Sequence, residues 1–288
     1  MRNIEVTTIL VEQIQNVNWE ENNCSFLDKA CEAGNASIVQ SLLARGALLR
    51  PDHPDVLEIA AKRGHLEVVR LILNWNADTE RVSLVRVKTA LKFASKYGYI
   101  NIVQCLVEYG TDVGALTSAL YHTIEGNRVE VAAYLLDNGA DYNVVGATIL
   151  AARPVYESTP WIYACSRGSL EMVQLLLDRG ADPDAVDAKG LSPLRATNLR
   201  VLKLLLEHGA DPNLADTTTG ETLLMRAALN RHIHIVDALL EHGGDVNQEN
   251  SKGKTVLDML GDEKYRAVRE LCTGYIECNK PGAEPVLK

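Results

Sequence analysis

Apolar residues recur along this chain in short bursts at helical spacing, each closed by the same punctuation. In the stretch LEMVQLLLDRGADPD, Leu170, Val173, Leu176 and Leu177 fall on one helical face and Gly180 closes the burst. The glycine, or its substitute, between two bursts can serve as an anchor: Gly34, Gly64, Gly98, Asn127, Gly168 and Arg231. Twelve residues after each stands Gly46, Asn76, Gly110, Gly139, Gly180 or Gly243. A constant gap over six copies marks an internal repeat rather than a chance set of helices. A shorter copy lies between the last two, running from Ser192 to Gly209.

Each copy reads as two short helices. The first opens at an oxygen-bearing side chain that can accept orphan backbone N–H groups: Ser25, Asp55, Thr89, Ser118, Thr159 and Thr222. Seven residues before the anchor stands Leu27, Leu57, Leu91, Leu120, Trp161 or Leu224. Four before it stands Ala30, Ala60, Ala94, Thr123, Ala164 or Ala227. The small residue lets helix pairs approach closely. One pair cannot bury its own apolar face, so the pairs must stack. The second helix stops at a glycine, and Asp-Pro and Asp-x-x-Gly runs follow as turns.

These residues resemble the ankyrin repeat family, whose pattern is a Thr-Pro-Leu-His-type start, a small pair, a Gly-His step and a closing Gly-Ala-Asp-x-Asn. TPWIYACSRGSLEMVQLLLDRGADPD and ETLLMRAALNRHIHIVDALLEHGGDVN carry it, and the resemblance covers about residues 24–260. It implies an all-α fold, an ankyrin-type helical repeat solenoid with finger loops and terminal capping helices. Residues 1–23 are then an N-terminal capping helix, and 24–254 hold about seven repeats. Residues 255–278 close the array, and 279–288 are a disordered tail. The resemblance further implies a concave groove, lined by first helices and fingers, that binds a partner.

Three segments depart from the repeat. An apolar insertion at 144–155 reads either as a finger packed on its neighbours or as a flap over the groove. RVSLVRV, residues 81–87, alternates apolar and basic residues and reads as a hairpin finger. The copy from Ser192 to Gly209 lacks about one helical turn, so its first helix should be stunted.

A net charge of −9 argues against general nucleic-acid binding and against a polybasic membrane contact. No run of about 18 apolar residues or signal-peptide pattern is present, so a cytoplasmic protein without a membrane contact is expected. Six cysteines show no Cys-x-x-Cys or zinc spacing; Cys31 and Cys165 occupy a small-residue position in a tight helix contact. No metal or cofactor is expected.

Positions five, two and one before each anchor share the remaining helical face. In the middle of the array they gather Phe93, Tyr97, His122, Glu125, Tyr163 and Arg167, in a chain with only 5% aromatic residues. Tyrosine and arginine are favoured interface anchors. The expected function is therefore a non-catalytic interaction module, a monomer that binds a protein partner in its groove. Phe93 and Tyr163 replace a common leucine, so core packing is an equal reading for them. The alternative function is a small-molecule pocket or enzyme site closed by 144–155, with His122, Glu125 and Tyr163 as its chemistry.

Overall fold

The structure is a computed structural model that describes residues 16–18, 20–21, 24–48, 55–75, 83–144, 158–187, 190–196, 198–261 and 263–278. Two compact units divide the chain, Met1–Arg153 and Pro154–Lys288.

Among the described residues, the first element of the first unit is a two-residue strand, β1 (Glu20–Glu21), antiparallel to β2 (Cys24–Ser25). Eight helices follow among the described residues: α1 (Phe26–Ala33), α2 (Ala36–Ala44), α3 (Val56–Arg63), α4 (Leu66–Trp75), α5 (Leu84–Tyr97), α6 (Ile100–Gly110), α7 (Val113–Gly126) and α8 (Val129–Asp137). First helices α1, α3, α5 and α7 pack in a row, and second helices α2, α4, α6 and α8 form a second row beside them. The leucines seven before each anchor and the small residues four before it are buried between neighbours, Leu57, Leu91, Leu120, Ala60, Ala94 and Thr123 at 0% exposure.

In the second unit the helices are α9 (Pro160–Arg167), α10 (Leu170–Asp178), α11 (Pro193–Ala196), α12 (Leu199–Glu207), α13 (Leu223–Leu229), α14 (Ile233–Glu241), α15 (Val256–Met259) and α16 (Arg266–Cys278). Trp161 takes the leucine position, fully buried, and its indole N–H donates to the Asp182 carbonyl (2.8 Å). The stunted copy is observed as α11, a four-residue helix. Arg195 on it pairs with Asp216 in the next loop, where backbone N–H groups of Thr218 and Thr219 also donate to the carboxylate. Those bonds hold the Asp216 carboxyl well below the usual carboxylate range.

All six anchors adopt the left-handed conformation, with φ from +51° at Asn127 to +84° at Gly98. Asn127 and Arg231 are the only non-glycine residues with positive φ among the described residues. The anchor also admits the next repeat. A Cβ built on Gly34 would lie 2.4 Å from the His65 ring, and one on Gly64 would lie 2.7 Å from the Tyr99 ring. His65 Nε2–H donates back to the Glu32 carbonyl (3.0 Å), and Arg128 Nε–H donates to the Lys96 carbonyl (3.3 Å). The closing asparagine of the repeat pattern has a matching task. Asn213 donates to the Gly243 carbonyl (3.1 Å) and accepts from the Asp245 N–H (2.6 Å), clamping one loop to the next.

Three expectations are corrected. First helices α5 and α7 are capped by Ser83 and Asp112, six residues before the expected caps Thr89 and Ser118. Each is fourteen residues long rather than eight. The hairpin expected at 81–87 is helical from Leu84, because the Ser83 side chain accepts from the Val85 N–H and starts the helix there. Second helices α2, α8, α10, α12 and α14 end two residues before the glycine, whereas α6 runs to Gly110; the Ala181 N–H bonds the Leu176 carbonyl around left-handed Gly180. The helix expected over 1–23 lies outside the described residues except at 16–18 and 20–21, where a turn and a strand stand. The segment 144–155, apart from Val144, and the tail 279–288 also lie outside them.

Candidate functional site

Rigid first helices present their remaining face through positions five, two and one before the anchors. In the first unit, Tyr97 is exposed, Phe93 is half-buried, Glu125 is partly exposed and His122 is buried at 6% exposure. In the second unit, Tyr163 is half-buried and Arg167 is exposed at the end of α9. The six expected residues therefore divide between the units, four in the first and two in the second.

Side chains on this face first satisfy one another across repeats. Arg63 on α3 pairs with Glu32 on α1 (2.7 Å), and Lys96 on α5 pairs with Glu125 on α7 (2.7 Å). The second Glu125 oxygen faces His122 Nδ1 at 3.4 Å. An ionised carboxylate only accepts, so this contact places the ring proton on Nδ1. Burial opposes ionisation of Glu125, but hydrogen bonds from Lys96 and His122 hold its carboxyl below the usual range. Burial and the nearby Lys92 charge push His122 down to about 4, so the ring is neutral at neutral pH.

Repeat spacing puts Lys62 and Lys96 on this face but does not single out Lys88 or Lys92. Lys88, Lys92 and Lys96 are four residues apart and form one stripe along α5. Lys88 pairs with Asp112 (2.7 Å) and Lys96 with Glu125, both on the next repeat. Lys92 lies between them, its Nζ 5.7 Å from the Phe93 ring centroid, and Lys62 from α3 places its Nζ 5.3 Å from the same centroid. Both distances suit cation–π attraction. The four-residue lysine spacing is the signal that would have revealed this cluster.

The buried thiols have no such exposure. Cys31 and Cys165 are fully buried in helix contacts, and burial pushes the Cys31 thiol up to about 12. A thiol in that state is a small apolar residue rather than a nucleophile. No group of three or more potential metal ligands occurs among the described residues. No helix among them is long and apolar enough to cross a membrane.

Stacked helix pairs, left-handed anchors and clamped loops define a helical repeat protein. The chain belongs to the ankyrin repeat family: the family model for ankyrin repeats matches residues 57–146, 93–187, 145–216 and 194–281. Similar curated proteins include the ankyrin repeat and KH domain-containing protein mask-1 of Caenorhabditis elegans, 28% identical over 54% of this chain. Ankyrin repeat protein nuc-2 of Neurospora crassa is 32% identical over 45% of this chain, and the mouse palmitoyltransferase ZDHHC13 27% identical over 62%. The chain spans 6%, 12% and 34% of the lengths of these three relatives. The crystal structure of the human ASB11 ankyrin repeat domain aligns with a TM-score of 0.60 and 23% identity, covering 73% of this chain and 95% of that one. Ankyrin repeats typically serve as protein-interaction modules.

Proposed function

We propose that this chain binds a protein partner through the remaining face of its first helices and carries out no chemistry there. In the first unit the contact surface is Phe93, Tyr97, His122 and Glu125, bordered by Lys62 and Lys92; in the second it is Tyr163 and Arg167. One observation supports this most: Tyr97 is 38% exposed on a helix whose opposite side is fixed in the core. An amphipathic aromatic group on a rigid support loses little freedom when a partner covers it. His122 serves this surface as a neutral, buried brace for Glu125. The free cysteines among the described residues, Cys24, Cys31, Cys105, Cys165 and Cys272, agree with a cytoplasmic setting.

Affinity capture from the native extract tests the reading, with the unmodified chain beside two double variants. Phe93→Leu with Tyr97→Ala, and Tyr163→Ala with Arg167→Ala, should each weaken capture about tenfold or more, the size of a hot-spot loss. Far-ultraviolet circular dichroism should show the fold intact in both. Capture unchanged by either pair would remove the assignment.

A further inference from the structure

The lysine stripe on α5 has an open middle. Lys88 and Lys96 each reach a carboxylate on the following repeat, but no carboxylate lies within ion-pair distance of Lys92 among the described residues. Lys62 is likewise without such a partner among them, and it converges from the preceding repeat on the same Phe93 ring. Glu58 senses both ammonium groups but pairs with neither within 4 Å. Two like charges drawn to one ring repel each other, and that repulsion would be relieved by an anion set between them. The field is already visible in its effect on His122, whose basicity Lys92 and Lys96 lower further after burial. The chain as a whole has the opposite sign, at net −9. This is a local cationic site on an acidic protein, backed by an aromatic ring and bordered by exposed Tyr97.

We propose that the two ammonium groups at the Phe93 ring, Lys62 and Lys92, together receive an anionic side chain of a partner peptide, carboxylate or phosphate. The Phe93 and Tyr97 rings then flank the peptide's neighbouring apolar groups. This inference rests on the partner-binding reading of the same face and specifies the partner's chemistry.

The test is fluorescence anisotropy of the full chain with three labelled peptides of alternating glycine and one other residue: glutamate, phosphoserine or glutamine. The glutamate or the phosphoserine peptide should bind, whichever is tighter naming the anion, and the glutamine peptide should not. Lys62→Gln with Lys92→Gln should weaken binding about tenfold, in line with the loss of two charge-assisted contacts. Lys252→Gln with Lys254→Gln, an equal change in net charge at two exposed lysines, should leave affinity unchanged. Equal weakening by the two pairs, glutamine binding as tight as glutamate, or no binding of either anionic peptide overturns the proposal. The parent reading fails separately, if native capture survives Phe93→Leu/Tyr97→Ala. Native capture lost with Phe93→Leu/Tyr97→Ala but kept with Lys62→Gln/Lys92→Gln leaves the face in place and removes the anion.

Discussion

Replacing Gly64 by alanine separates two roles that one residue carries. The first is backbone shape. Gly64 has φ +82°, and an L-residue in that region costs about 1–2 kcal/mol. The second is room. The added Cβ would stand 2.7 Å from two atoms of the Tyr99 ring, so the ring must swing off its rotamer at a cost of about 0.5–1.5 kcal/mol. The sum is about 1.5–3.5 kcal/mol. Gly46 supplies the control: its φ is +83°, and nothing lies within 4 Å of a Cβ built there. Gly46→Ala should therefore cost only the backbone part, about 1–2 kcal/mol. Urea unfolding at 25 °C, followed by circular dichroism, measures both from midpoint and slope. In a Tyr99→Ala background the Gly64→Ala cost should fall to that of Gly46→Ala, a coupling of about 1 kcal/mol. Equal costs at the two glycines, or a Gly64→Ala cost indifferent to Tyr99, would refute the view that the anchor glycine admits the next repeat.

Other expectations follow from single sites. The Ser95 hydroxyl is fully buried without a partner, where Ala61 and Ala228 hold the same repeat position. Ser95→Ala should stabilise by about 1 kcal/mol, since it removes an unmet hydroxyl and improves helix propensity; a lower urea midpoint would contradict this. Arg231 is exposed with φ +57°, so Arg231→Gly should gain about 0.5–1 kcal/mol net of the freedom glycine adds to the unfolded chain. Loss of stability there would show that the arginine makes a contact of its own. His122 should titrate near pH 4 by proton NMR, below the ordinary value of 6.5. Its depressed value means that its stabilising contribution is complete above pH 6.5 and is lost as pH falls toward 4. Lys92→Gln should raise the midpoint, and an unmoved midpoint would remove the lysine field from the account.

The repeat itself was legible because it rests on backbone demands that the residue types announce. The anchors Gly34, Gly64, Gly98 and Gly168 are left-handed, and the substitutes Asn127 and Arg231 keep the same conformation. Caps at Ser25, Asp55, Thr159 and Thr222 stand where side-chain chemistry placed them. Thr89 and Ser118 do not cap, because an earlier oxygen-bearing side chain competes for each helix start. Ser83 and Asp112 start the helices earlier, and the Thr89 hydroxyl then donates to the Val85 carbonyl inside the helix. The site was legible only as residue types on a face. The lysine stripe of α5 could be counted in the sequence. Its pairing could not, since Lys88 and Lys96 meet carboxylates 24 and 29 residues away, in a register set by repeat stacking. The division of the six expected residues between two units likewise depends on contacts rather than on spacing.

Covalent footprinting of lysines and tyrosines, with and without the captured partner, tests the central claim most directly. The account predicts that Lys62, Lys92 and Tyr97 lose reactivity when the partner binds, while Lys252 and Lys254 keep theirs. Undiminished labelling of Lys62, Lys92 and Tyr97 in the complex would contradict it.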